Sequence, residues 1–287
     1  MRHLLLALGL LLAAPLQAAE VKLATWNIAW LTNRPADDPA LPRNLTPRQP
    51  GDWRLLAAYA QRLEADILAF QEVDGPAAIH RLLPEREWQV FMAREDDVQR
   101  TGIAVRRTLR AVQNEDLAGL DLIPQARFSL RRGTDVTVTL PGGAPLRLLS
   151  VHLNAGCREG PIEPSRGREC GNLSRQSAVL ADWVRQRRAE GGAFAILGDF
   201  NRRMDHPRDE MTAALEPMTR ATAGASNPCW ADARGARPFI SHILLFGPAQ
   251  RMLVPGSLRV MVYAEREPAM RERLSDHCPV SVRLRAP

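Results

Sequence analysis

The chain has 287 residues, 45% of them apolar and 24% charged, which excludes intrinsic disorder and suffices for one large domain. Its formal net charge of +6 is carried almost wholly by arginine, Lys22 being the single lysine. Such a surface suits a polyanion such as nucleic acid or anionic lipid, although an arginine-rich genome gives the same count.

Residues 1–19 read as a secretory signal: Arg2 and His3 open it, residues 4–12 are apolar, and Leu16-Gln17-Ala18-Ala19 offers small residues for cleavage. The run is short for a membrane span, and no other long apolar segment follows. The expectation is an exported protein, periplasmic or secreted, with one domain over residues 20–287 and a monomer as the default. Cys157, Cys170, Cys229 and Cys278 lack the close paired spacing of a zinc site, so export makes disulfides their natural state. Three pairings are open, of which Cys157–Cys170 with Cys229–Cys278 is preferred.

Residues 21–28 (VKLATWNI) alternate as a strand ending near Asn27. Residues 33–51 are loop, and Asp52 is expected to cap a helix through about Ala65. Residues 66–73 (DILAFQEV) form a buried strand with Glu72 at its end, and 88–93 and 102–105 a strand pair. Val136, Val138 and Leu140, the turn Pro141-Gly142-Gly143, and residues 146–153 make a hairpin with His152 near its end. An amphipathic helix is predicted from Leu173 to about Ala189. Residues 193–197 are an apolar strand that Gly198 is expected to break, presenting Asp199 and Asn201 at its mouth. An ordinary Asx turn is the alternative reading of that stretch. An irregular region follows, then strands at 239–246, 258–263 and 277–284. The mixture argues for antiparallel sheets with helices outside them.

Asn27, Glu72, His152, Asp199, Asn201, Asp276 and His277 all stand at strand ends. Carboxylates and amide oxygens suit a hard cation such as Mg2+, with Mn2+ or Ca2+ as substitutes, and histidines beside carboxylates suit proton transfer at a phosphate. HExxH, CxxC, P-loop and GxSxG motifs are absent from the sequence.

Taken together, TWNI at 25–28, QEV at 71–73, VHL at 151–153, GDFN at 198–201 and SDH at 275–277 resemble the endonuclease/exonuclease/phosphatase superfamily, in its order and over nearly the whole mature chain. The resemblance implies an α+β fold, a four-layer α/β/β/α sandwich with two mostly antiparallel sheets like that of pancreatic deoxyribonuclease. It implies Glu72 as the main magnesium ligand with Asn27 and Asp276 nearby. Asp199 would orient and deprotonate the attacking water, and Asn201 would hold the phosphate. His152, paired with Glu72, and His277 would stabilise developing charge, one of them supplying a proton.

The sequence departs from the family at Ser241, where members carry an Asp that supports the catalytic histidine. A serine offers only a neutral hydrogen bond, so His277 is expected to be less readily protonated and activity to be reduced or shifted to higher pH. The leading expectation is an exported magnesium-dependent nuclease of low sequence specificity, with Arg100, Arg106, Arg202 and Arg203 as candidate phosphate contacts. A sphingomyelinase-like or inositol-phosphate phosphoesterase is the chemical alternative, and an impaired binding or toxin-subunit protein the alternative of another class.

Overall fold

The computed structural model describes residues 19–123, 130–232 and 235–286; the predicted leader lies outside them except for Ala19. The chain runs β1 (Glu20–Leu31), α1 (Pro50–Leu63), β2 (Ile67–Val73), α2 (Pro76–Ile79), β3 (Trp88–Met92), β4 (Arg100–Arg106) and β5 (Arg110–Gln113). It continues through β6 (Thr134–Thr139), β7 (Pro145–His152), α3 (Arg168–Glu190), β8 (Ala193–Asp199), α4 (Glu210–Leu215) and β9 (Thr219–Arg220). The last third comprises β10 (Asn227–Asp232), β11 (Gly235–Arg237), β12 (Ser241–Phe246), α5 (Ala249–Met252), β13 (Arg259–Val260), α6 (Pro268–Arg273) and β14 (Val280–Arg285).

These strands build two six-stranded sheets, ordered β13-β14-β1-β2-β4-β3 and β5-β6-β7-β8-β12-β9, and a separate β10-β11 ribbon. Val21, Leu23, Ile67 and Ile103 of the first sheet meet Val136, Leu148, Leu197 and Ile243 of the second between the layers. The alternate residues face outward onto helices: Trp26, Leu68 and Phe70 pack against Leu56, Tyr59 and Leu63 of α1. On the other side Leu149, Val151 and Ile196 pack against Leu173, Leu180 and Val184 of α3. Covering each sheet on both faces is why the central strands read as continuous apolar runs. Burying one leucine in such a layer stabilises the fold by about 1.5–3 kcal/mol. The result is the four-layer α/β/β/α sandwich, and among the described residues no helix is long and apolar enough to cross a membrane.

Most strand pairs are antiparallel, but β1 pairs in parallel with β2, and β7 with β8. Each parallel pair is bridged by a helix, α1 in one sheet and α3 in the other, so each sheet contains one strand-helix-strand crossover. Their carboxyl ends carry Asn27 and Glu72 in one sheet, His152 and Asp199 in the other.

Three local expectations are corrected. Asp52 is not the cap of α1 but its third residue, where it accepts a 2.7 Å hydrogen bond from the Gln49 backbone at the N-cap and anchors Arg273. The stretch after Asn201 is not irregular throughout, since it holds α4, β9 and the β10-β11 ribbon. Gly198 does not break β8, which continues to Asp199. A Cβ at Gly198 would fall 2.0 Å from the Val151 carbonyl oxygen at a φ of +145°, so glycine is what lets β8 lie against β7 there.

Gly198→Ala is therefore expected to lose about 4 kcal/mol or more of stability by urea denaturation. Gly192→Ala, whose added methyl meets nothing within 4 Å, should change it by less than about 1 kcal/mol. Similar small effects for both would show that the backbone at 198 relaxes freely.

Candidate active site

The strand ends are bent to aim their side chains. Register shifts interrupt β1 between Asn27 and Leu31 and β2 between Phe70 and Val73, the signature of bulges. Ala29, Trp30, Glu72 and Asn201 are all left-handed, with φ of 45°, 54°, 61° and 50°. Each such non-glycine residue costs on the order of 1 kcal/mol, and such outliers gather at functional sites.

Glu72 is held by neutral donors. Its Oε1 accepts from Asn27 Nδ2 at 2.9 Å, and its Oε2 from Gln99 Nε2 at 2.6 Å and the Trp30 backbone at 3.2 Å. Burial raises the pKa of Glu72, with the Asn27 hydrogen bond opposing it. Asp199, 1% exposed, accepts from Asn27 Nδ2 at 3.0 Å through Oδ2, and from the Asn201 backbone at 2.9 Å through Oδ1. One amide thus joins a carboxylate of each sheet.

In this arrangement Asn27 turns its nitrogen, not its oxygen, to the two carboxylates. Its Oδ1 accepts from the Ala29 backbone at 2.9 Å, and a flipped amide would set an oxygen against two carboxylates and an NH2 against an N–H. Asn27 is a bridge. Ser275 extends it: Oγ donates to the Asn27 carbonyl at 2.8 Å and accepts from the His277 backbone at 3.0 Å.

Both histidines reach the carboxylates. His152 Nε2 stands 3.6 Å from Glu72 Oε1 and 3.9 Å from Asp199 Oδ2, while His277 Nε2 is 3.4 Å from Asp199 Oδ2. Burial, with smaller contributions from Arg131 and His277, drives the pKa of His152 well down, so that ring is neutral. Its buried Nδ1 has no hydrogen-bond partner among the described residues. At His277 burial again opposes charge, but Asp199, Asp276 and Glu72 outweigh it and the pKa rises. Ser241 Oγ sits 3.1 Å from His277 Nδ1, the contact expected of the substituted position. The carboxylate missing on the Nδ1 side is offset from the Nε2 side, which opposes the expected loss of proton affinity. His242 takes no part: it is buried, with Nδ1 2.7 Å from Thr222 Oγ1 and Nε2 2.8 Å from the Arg202 carbonyl.

Glu72, His152, Asp199, Asn201, Asp276 and His277 line one cavity of about 370 Å³, with Asp276 on the exposed rim. Asn201 donates its amide to the Leu153 carbonyl at 3.0 Å. Arg131, Arg158 and Arg271 also line the cavity, and among the described residues their guanidinium groups have no carboxylate partner. Arg203 does line it, paired with Glu159 at 2.8 Å. The other three arginines expected at the phosphate are used elsewhere. Arg100 donates to the Asp74 carbonyl, Arg106 stands at the far end of β4 on Glu87, and Arg202 is buried on Asp209 at 2.7 Å. Gln99, Arg131, Arg158 and Arg271 escaped the sequence reading because no motif or periodicity marks them.

Both expected disulfides form, and both brace this rim. Cys229–Cys278 ties β10 to the residue after His277, and Cys157–Cys170 ties the loop bearing Arg158 to α3. Among the described residues no group of three His, Cys, Asp or Glu side chains is poised around a metal position. Glu72 and Asp276 nonetheless present oxygen to the cavity, and Glu72 is a half-buried carboxylate whose hydrogen bonds come from neutral groups. That donor set fits magnesium, which binds through one or two carboxylates and keeps several waters.

Residues 24–277 match the Endonuclease/Exonuclease/phosphatase family. Among solved structures, truncated Caenorhabditis elegans TDP2 is similar at 18% identity and a TM-score of 0.63, covering 93% of this chain and 98% of that chain. D. rerio TDP2 complexed with single strand DNA product is 16% identical with a TM-score of 0.60, covering 93% and 100%. The 3′ phosphatase NExo from Neisseria, bound to product DNA hairpin, is 20% identical with a TM-score of 0.56, covering 91% and 98%. At these identities the likeness is one of fold. No curated protein matches the chain in sequence.

Burial lowers the pKa of His242 from 6.5 to about 4. Between those values the unfolded chain binds a proton that the folded one refuses, so stability is full above pH 6.5 and falls as pH drops toward 4. His242→Gln should reduce the stability difference between pH 7.5 and pH 4.5 by about 2–3 kcal/mol. Parallel urea curves for parent and variant at both pH values would show that another group governs this range.

Proposed function

The chain belongs to the endonuclease/exonuclease/phosphatase family, and on that premise we propose that it is an exported, magnesium-dependent nuclease of low sequence specificity. Its membership makes it a phosphoric-ester hydrolase of a generally metal-dependent kind. The observation that carries the finer reading is the convergence of Asp199 with Glu72, His152 and His277 in one cavity that Arg131, Arg158 and Arg271 also line.

In this proposal Glu72 and Asp276 hold the cation, which supplies Lewis acidity to a phosphoryl oxygen. Asp199 orients and deprotonates the attacking water, its Oδ2 being the oxygen that faces both histidines. Asn27 keeps that carboxylate and Glu72 in register. His277, whose pKa the neighbouring carboxylates raise, faces Asp199 and is placed to donate to the developing negative charge and to the leaving oxygen. Neutral His152 donates a hydrogen bond without carrying charge, and Asn201 steadies the phosphate. Arg131, Arg158 and Arg271 meet the flanking phosphates, contacts that position a strand without reading its sequence.

Nucleic acid is favoured over a phospholipid surface because the described residues show no contiguous exposed apolar patch. Among the described residues the exposed large apolar side chains are Val112, Ile123 and Val262, from three separate segments. Export is supported by the two disulfides and by the leader-like residues 1–19.

The direct test is residues 20–287 on supercoiled plasmid. Nicking should require magnesium, stop in EDTA, and fall about 10³-fold or more in Asp199→Ala and about 10²-fold or more in His152→Ala. Nicking that survives EDTA or both variants would refute this use of the site. Ser241→Asp adds charge at His277 Nδ1 and should raise the rate or displace its pH profile; a variant matching the parent in both shows that Ser241 does not limit His277.

A further inference from the structure

A second groove, of about 840 Å³, continues from the catalytic cavity and shares Glu72, Arg237, Arg271 and Asp276 with it. The groove is therefore open to a ligand held at the Glu72 end of the cavity. Its wall includes Trp30.

Trp30 differs from the other five tryptophans. The indole of Trp26 donates to Tyr263, Trp53 lies under Arg81, and Trp88 under Arg106. Trp183 packs edge-on to Phe194, and Trp230 stacks on Tyr263 while its Nε1 donates to the Ser275 carbonyl. Trp30 is half-buried, lies outside all three hydrophobic clusters, and among the described residues its ring has no aromatic or cation–π partner. Its main chain is nevertheless fixed. Two successive left-handed residues, Ala29 and Trp30, bring it to the groove, the Trp30 N–H donates to Glu72, and its carbonyl accepts from Arg48 at 2.8 Å. Core packing does not account for a strained backbone that leaves an indole uncommitted beside the Glu72 carboxylate.

We propose that Trp30 is a stacking platform for the nucleobase adjoining the scissile phosphate, with Arg266 and Arg271 in the same groove meeting the next phosphate. A flat π-face flanked by guanidinium groups fits a nucleotide, whereas an acyl chain wants an aliphatic wall without charges. A base inside a duplex already has both faces covered, so the subsite takes unpaired bases, whether in a single strand or in the locally melted stretches of a supercoiled duplex. The inference rests on the nucleic-acid reading of the neighbouring site.

Binding in EDTA separates the two. Residues 20–287 are titrated against a fluorescein-labelled chain of eight thymidines and against an abasic chain of equal length, with anisotropy as the readout. The parent should bind the thymidine chain about 10-fold more tightly. Trp30→Ala should remove that preference without changing abasic binding, and Trp30→Phe should restore most of it. Equal weakening on both chains, no base preference in the parent, or a Trp30→Ala variant that keeps the preference would overturn the subsite. So would Trp30-dependent binding to sphingomyelin vesicles with none to the oligonucleotide. Base-dependent binding without hydrolysis of any strand in magnesium would instead overturn the nuclease reading and leave the subsite standing.

Discussion

The amide of Asn27 donates to two carboxylates that belong to different sheets, Glu72 beside it and Asp199 opposite. Two buried carboxylates at close range repel, and one planar NH2 group shared between them both satisfies and spaces them. The rest of the site depends on that spacing. His152 and His277 each approach Asp199 Oδ2, and Ser275 ties the His277 backbone to the carbonyl of the same Asn27. An apolar interlayer of fixed thickness beneath makes the bridge geometrically dependable.

The layer just below is polar as well. Gln71 of β2 donates to Ser150 of β7 at 3.1 Å, and Ser150 Oγ reaches the Phe70 carbonyl at 3.3 Å. The two sheets are thus registered by hydrogen bonds where the parallel pairs end, and by hydrocarbon everywhere deeper. Rigid strand ends supply the reacting groups, and a disulfide-braced loop supplies Arg158 beside them. Charge follows the same plan: Asp199 is buried and Asp276 exposed, and Arg131, Arg158 and Arg271 line the same cavity, which suits a substrate that is itself anionic.

Much of this was legible in the chain. The apolar runs at 193–197 and 66–73, each followed by carboxylates or amides, marked strands covered on both faces with polar groups at their mouths. The leader pointed to disulfides, the short Cys157–Cys170 spacing to a stapled loop with Cys229–Cys278 as the remaining pair, and both bonds form. The departure at Ser241 was visible as a residue type, and so was its contact, His277. Local errors had local causes. Asp52 reads as a cap because the capping box places an acid three residues inside the helix, and Gly198 reads as a breaker because a close strand approach uses the same residue as a turn.

By itself the sequence determined the strand-end polar residues, the family resemblance and the layered α+β architecture, because period-two patterning and short motifs are properties of contiguous residues. Tertiary structure decided the rest. That Asn27 gives nitrogen rather than oxygen, that Asp199 and Asp276 supply at Nε2 the charge that Ser241 withholds at Nδ1, and that Arg202 is buried while Arg131, Arg158 and Arg271 face the cavity all depend on groups distant in the chain. Orientation and electrostatic balance are sums over such neighbours, and no window of sequence contains them.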